Sequence, residues 1–157
     1  MLSAEEKNAL DVAYIAGLFD GEGTVYINKN ANSYTVFASV AMTEPEAPEK
    51  CKAVFGGKIY IKKQRDNRYK KVTHWLLSGV AAVSFLKAIQ PYSITKAGSI
   101  RIVLEFYEHY WLPGRNKPSI RRMELGDKYR HLLSLHQHRS ARIIWLASQV
   151  DWYPTAK

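Results

Sequence analysis

Ile15-Ala16-Gly17-Leu18-Phe19-Asp20-Gly21-Glu22-Gly23 is the stretch on which the fold turns. It closes a segment, Glu5 to Phe19, whose apolar residues Leu10, Tyr14, Ile15, Leu18 and Phe19 recur at helical spacing. Ser3 is placed to cap that helix, and Glu5 and Glu6 suit its first turn. Ala13, Gly17 and Gly21 fall on one face with Ala16 beside them. A glycine inside a helix costs roughly 1 kcal/mol against alanine, so Gly17 calls for a packing reason. Close approach of a second helix backbone would supply it. Asp20-Gly21-Glu22-Gly23 ends the helix, and its glycines can take up the left-handed C-terminal conformation. Asp20 and Glu22 then sit at the negative end of the helix dipole, a poor place for carboxylates. They are either solvated turn residues or the oxygen donors of a divalent cation, whose charge would reverse the local field. A carboxylate with a nearby carbonyl suits magnesium.

Outward from this stretch the pattern changes period. Thr24 to Asn30 sets Val25 and Ile27 against Tyr26, Asn28 and Asn30, and Ala31-Asn32-Ser33 makes a turn. Tyr34 to Met42 then sets Val36, Ala38, Val40 and Met42 against Thr35, Phe37 and Ser39. Glu44 to Phe55 reads as a helix capped by Thr43 and stopped by Gly56-Gly57. A second hairpin runs from Lys58 to Ser78 around Asp66-Asn67. Val80 to Ile89 is a helix, Pro91 breaks the chain, and Ser93 is placed to cap a further helix from Ile94 to Trp111. Two basic helices are expected between Ser119 and Val150. The order is α-β-β-α-β-β-α with a helical tail, an α+β chain without internal repeat or linker. It is expected to form a single domain over residues 1–157, with the core at about 5–112 and the tail at 113–157.

Charge is distributed unevenly. The net charge is +9, yet residues 1–50 hold three Lys against eight Asp and Glu, and the later chain holds all of the basic excess. An acidic partner is implied, nucleic acid before an anionic membrane surface. The early acids serve another purpose. Cys51 is the only cysteine, which excludes a disulfide framework and a Cys-based zinc site. No apolar run approaches a membrane span, so the protein is expected to be soluble and intracellular.

The nine-residue stretch resembles the LAGLIDADG motif of homing endonucleases, with Ile15 for Leu, Phe19 for Ile, Gly21 for Ala and Glu22 for Asp. The resemblance runs from about Leu10 to Glu105. It implies an αββαββα fold with an antiparallel saddle-shaped sheet and C-terminal helices. In that family the motif helices of two subunits pack together, which implies a dimer interface of Ala13, Ala16, Gly17 and Asp20, the last of these serving either the turn or the interface. The eighth motif residue, Glu22, would be the metal-binding carboxylate, and the Gly21 carbonyl a second metal contact. The cation would be Mg2+ or another such as Mn2+. Because only one motif is present and cutting two strands needs two acids, the chain is expected to act as a homodimer.

The same resemblance extends to Gln90-Pro91-Tyr92-Ser93-Ile94-Thr95-Lys96 and implies that Lys96 is an active-site lysine near the scissile phosphate. Otherwise Lys96 is a solvated surface residue. Glu44 falls near a position that helps arrange active-site water in relatives, although Pro45-Glu46-Ala47-Pro48 departs from their pattern.

The second hairpin is the most basic segment, and a ribbon of mixed Lys, Arg, Gln and Asn can read base edges in the major groove. Lys62, Gln64, Arg68, Lys70 and His74 are its candidate DNA contacts, joined by Tyr26, Asn28, Asn30 and Asn32 of the first hairpin. Ile59, Ile61, Thr73, Trp75 and Leu77 read as its core side. Eight residues of ribbon span about 27 Å, or about eight base pairs. Two subunits would then read roughly twenty base pairs in near-palindromic half-sites. His136-Gln137-His138 lacks a third ligand for a metal and reads as phosphate contact or plain surface.

The implied activity is divalent-metal-dependent hydrolysis of double-stranded DNA at one long site. A maturase that binds intron RNA and a non-cleaving DNA-binding regulator of the same fold are the alternatives.

Overall fold

The computed structural model describes residues 3–62, 70–111 and 120–138. Helix α1 spans Ala4–Glu22 and starts in a capping box: the Ser3 hydroxyl accepts the Glu6 N–H at 3.2 Å, and the Glu6 carboxylate accepts the Ser3 N–H at 2.7 Å. The expected left-handed stop after Phe19 does not form. The helix runs on to Glu22, and strand β1 (Gly23–Asn30) begins at the next residue, with Gly23 extended at φ −77° and ψ 154°. Gly23 is required for space and not for handedness, because a Cβ there would lie 2.2 Å from the Phe19 ring.

A turn at Ala31-Asn32 leads to β2 (Ser33–Met42). Helix α2 covers Glu46–Phe55, shorter at its start than expected: Pro45 holds the cap position, and the Thr43 hydroxyl donates to the Glu44 carboxylate instead of capping the helix. Gly56 and Gly57, both at positive φ, turn the chain into β3 (Lys58–Lys62). At Gly57 a side chain would also strike the Leu76 carbonyl, 2.7 Å from an ideal Cβ. Strand β4 (Val72–Ser78) and helix α3 (Gly79–Ile89) follow. The four strands form one antiparallel sheet in the order β1-β2-β4-β3.

The last two described helices differ from expectation at their boundaries. A 3-10 turn at Gln90–Tyr92 carries Pro91, and α4 begins only at Ala97, ending at Phe106 before a π-helical turn, Tyr107–Trp111. Ser93 therefore closes the 3-10 turn and does not cap α4, and Lys96 occupies the N-cap position instead of the first helical turn. Helix α5 covers Ile120–Gln137. It docks on the first hairpin through Gly126, where a Cβ would lie 2.4 Å from the Tyr34 ring, and through a Tyr34 hydroxyl bond to the Met123 carbonyl at 3.3 Å.

Strand alternation explains which face is which. Val25, Ile27, Val36, Ala38, Val40, Trp75 and Leu77 are buried against α1, α3 and α4. Phe85 of α3 gathers Phe19, Phe55 and Trp75 edge-on, with ring centroids 4.9–5.2 Å apart. Tyr110 is buried in this core too. The second hairpin outruns the core: Ile61 is on the expected side but 59% exposed.

Candidate functional site

Among the described residues, the side chains on the opposite face of the sheet are exposed or only partly buried. Its cross-strand rows follow from the register: Thr24 beside Ser39, Tyr26 beside Phe37, Asn28 beside Thr35, Ala41 beside His74, and His74 beside Tyr60. Tyr26, Asn28, Asn30, Lys62 and His74 are thus gathered on one surface, Asn32 lies at the hairpin turn, and Lys70 stands exposed ahead of β4. Gln64 and Arg68 lie outside the described residues. Sequence reading passed over apolar members of this face. The Tyr26 ring stacks on Phe37 at 5.1 Å and Tyr60 on His74 at 4.9 Å, and Leu76 stands between Ser39 and Lys58. Their alternation with Ala38, Trp75 and Leu77 was the signal that could have found them. Burial, and then Lys62, hold the His74 pKa below the usual histidine value.

At one end of this face α1 delivers its acids. Gly23 pairs with Val40, so the α1–β1 junction lies at the sheet end where β2 runs out through Met42 to Glu44. The last intrahelical bond joins the Gly23 N–H to the Phe19 carbonyl, leaving the carbonyls of Asp20, Gly21 and Glu22 at the open helix end. Glu22 is exposed there.

Asp20 does something the sequence did not disclose. Its carboxylate accepts the backbone N–H groups of Ile94 (2.6 Å), Thr95 (3.1 Å) and Lys96 (3.0 Å). This takes the place of the Ser93 cap and commits the Asp20 carboxylate to bonds within the chain. In return the Lys96 ammonium donates to the Asp20 carbonyl at 2.6 Å. Burial lowers the Lys96 pKa below the usual lysine value, although Asp20 and Glu22 both pull it upward. Lys96 is therefore only partly exposed, and the charge of Glu22 reaches it.

Glu44 is placed differently. Its exposed carboxylate is bound by the Thr43 hydroxyl and lies 3.7 Å from the Lys70 ammonium, and these contacts lower its pKa. The structure gives it no contact with Glu22 or Lys96.

The small-residue face of α1 is partly what the sequence implied. Gly17 and Gly21 are exposed, and a Cβ at either would meet no atom within 4 Å. Ala16 is buried in the chain's own core and does not belong to that face. Leu10 and Tyr14, part of the apolar spacing, are 57% and 55% exposed. They extend the same face toward the helix start, at positions 10, 14, 17 and 21.

A magnesium ion fits the donors at the helix end, since a carboxylate and outward carbonyls are hard oxygen ligands at the negative end of a dipole. Among the described residues no three His, Cys, Asp or Glu side chains cluster in one chain as a ligand set. Among them, too, no helix is long and apolar enough to cross a membrane. His136, expected at the surface or on phosphate, instead packs against α4, with its Nδ1 3.2 Å from the Ser99 hydroxyl.

No family model and no curated protein matches this sequence. Solved structures do. The homing endonuclease I-CvuI in complex with the I-CreI target superposes with a TM-score of 0.67 at 16% identity, over 90% of this chain and 96% of that one. The archaeal intron-encoded homing endonuclease I-Vdi141I, complexed with DNA, gives 0.67 at 17% identity over 83% and 86%. The LAGLIDADG homing endonuclease I-SmaMI, bound to cleaved DNA, gives 0.56 at 16% identity, and this chain spans 50% of its length.

Proposed function

Taking as premise that the chain carries the fold of the LAGLIDADG homing endonucleases, we propose that it is a site-specific DNA endonuclease. It acts as a symmetric homodimer on one long near-palindromic duplex site. One observation carries the reading: a half-buried Lys96, locked to Asp20, feels the charge of Glu22 at the end of a sheet face whose described side chains are exposed or only partly buried. A fold used only to bind DNA has no need of a desolvated lysine beside an acid at a helix end.

The sheet lies in the major groove and reads bases through Asn28, Asn30 and Lys62. The α1 end then approaches the backbone. The Lys96 ammonium faces the scissile phosphate and offsets the charge that develops on it. Glu22 and the Gly21 carbonyl would hold magnesium, which when bound polarises the phosphate and lowers the pKa of attacking water. One chain brings a single Glu22 to the helix end, so the second strand needs the second copy. The α1 face of Leu10, Tyr14, Gly17 and Gly21 provides the seam. At Gly17 a helix pays about 1 kcal/mol for a glycine that its own chain does not require, and a partner backbone accounts for it.

The test is selection from a randomised duplex library with magnesium and with chelator. Recovery of one long near-palindromic cleaved site, only with magnesium, is the expected result. Enrichment by binding without cutting would replace the reading with a DNA-binding regulator. Absence of any DNA preference, with retention of intron RNA, would replace it with a maturase.

A further inference from the structure

We infer that His136 is a positioning residue for Lys96, the second of two side chains that clamp the start of α4. The activity arm of this inference rests on the endonuclease reading; its spectroscopic arm does not.

Lys96 is the N-cap of α4, yet it makes no side-chain cap hydrogen bond to the helix it begins. A long flexible side chain is costly to order, roughly 2 kcal/mol for lysine, so its backbone must be held by something else. Upstream, the Asp20 carboxylate holds the amides of Ile94, Thr95 and Lys96. Downstream, the hold comes from α5. Ser99, in the first turn of α4 and 4% exposed, has its hydroxyl 3.2 Å from His136 Nδ1. The imidazole lies flush on Gly98: a Cβ there would be 2.3 Å from Nε2 and 2.6 Å from Cε1. Gly98 is thus fitted to this ring.

The next residue of α5 grips the other element that leaves the catalytic end. Gln137 donates through Nε2 to the Val25 carbonyl of β1 at 2.8 Å. Further back on the same helix, Asp127 pairs with Lys29 of β1 at 2.9 Å, which sets the azimuth of α5 along the strand. The end of α5 therefore bridges the strand that follows Glu22 and the helix that follows Lys96. Between them lies a cleft of about 410 Å³, with Gly23 and Thr24 on one wall, Thr95 and Lys96 on another, and His136 and Gln137 on the third. Because the Gln137 amide and His136 Nδ1 are already bonded to protein, these residues shape the cleft and tie its β1 wall to its α4 wall.

The test uses the full chain and four proteins: wild type, His136→Ala, His136→Asn and Gly98→Ala. Single-turnover cleavage and binding of the selected site are measured for each. A second readout is the methyl resonance of Lys96 in reductively 13C-methylated protein, at fixed pH and without DNA or metal. His136→Ala is expected to slow cleavage about ten- to a hundredfold at unchanged binding, and to move the Lys96 resonance. Gly98→Ala, which displaces the ring, should do the same. His136→Asn, whose amide can still bond Ser99, should recover most of the rate and the resonance. Wild-type rates and an unmoved resonance in His136→Ala and Gly98→Ala would overturn the inference, as would equal loss in binding and rate without rescue by Asn. If wild type does not cut DNA at all, the endonuclease reading falls and the resonance alone decides the role of His136. If His136→Ala does not fold, Gly98→Ala and His136→Asn carry the same comparison.

Discussion

Asp20 and Lys96 hold each other twice. The Asp20 carboxylate accepts the Lys96 backbone N–H at 3.0 Å, and the Asp20 carbonyl accepts the Lys96 ammonium at 2.6 Å. The first bond belongs to a bracket over three consecutive amides, Ile94 to Lys96, so one carboxylate orders the segment that presents the lysine.

Replacing Asp20 with Ala should therefore damage stability and site together. Hydrogen bonds to a charged group contribute roughly 1.5–3 kcal/mol, and that loss should appear in urea denaturation. Asp20→Asn, which retains an acceptor oxygen, should lose less. Equal midpoints for all three proteins would show that the bracket adds nothing to stability.

Glu22 is exposed and makes no hydrogen bond that stability depends on, so Glu22→Gln should fold as the wild type does. Its loss should appear in chemistry alone: cleavage in magnesium abolished, with binding of the selected site retained in a gel-shift assay. Normal cutting by this variant would overturn the assignment of the metal ligand.

Gly17 separates the stability of one chain from that of the pair. With open space around its Cβ position, Gly17→Ala should stabilise the isolated chain by about 0.4–1 kcal/mol through helix propensity. Gly17→Leu should fold equally but sediment as a monomer in analytical ultracentrifugation. A dimer unaffected by leucine there would place the seam elsewhere.

Lys96 gives a pH signature of definite sign. Its pKa is lowered from 10.5 by burial, so its ammonium discharges at lower pH than an ordinary lysine. The alkaline limb of kcat/KM, which reports the free enzyme, should fall below 10.5, and Lys96→Arg should remove that limb. Stability runs the other way. Between the lowered folded value and 10.5 the unfolded chain binds more protons, so this group makes the fold more stable as pH rises through that window.

The strands were legible because side chains alternate with period two and, among the described residues, only one face is buried. Val36, Ala38 and Val40 against Thr35, Phe37 and Ser39 could be assigned from the letters alone. The start of α4 was not, because the segment leading into it is held by a carboxylate far away in the chain, and a local Ser93 looked sufficient. The placing of Leu10 and Tyr14 was left open for a different reason. Helical spacing identifies an apolar stripe without saying whether the chain's own core or another surface covers it, and here both residues face outward. Phe37 and Leu76 escaped notice because a search for base-reading residues looks for polar side chains. His136 was read as surface because nothing in its neighbourhood names Gly98 or Ser99 as its partners.

Helix α1 gives way to β1 without a single intervening residue, Glu22 being the last of one and Gly23 the first of the other. On the proposed reading this makes the molecule a ruler. The acid that marks the cut is rigidly registered to Tyr26, Asn28 and Asn30, which read the bases. Exchanging those reading residues would redirect the enzyme to new sequences while leaving the spacing between the two nicks untouched.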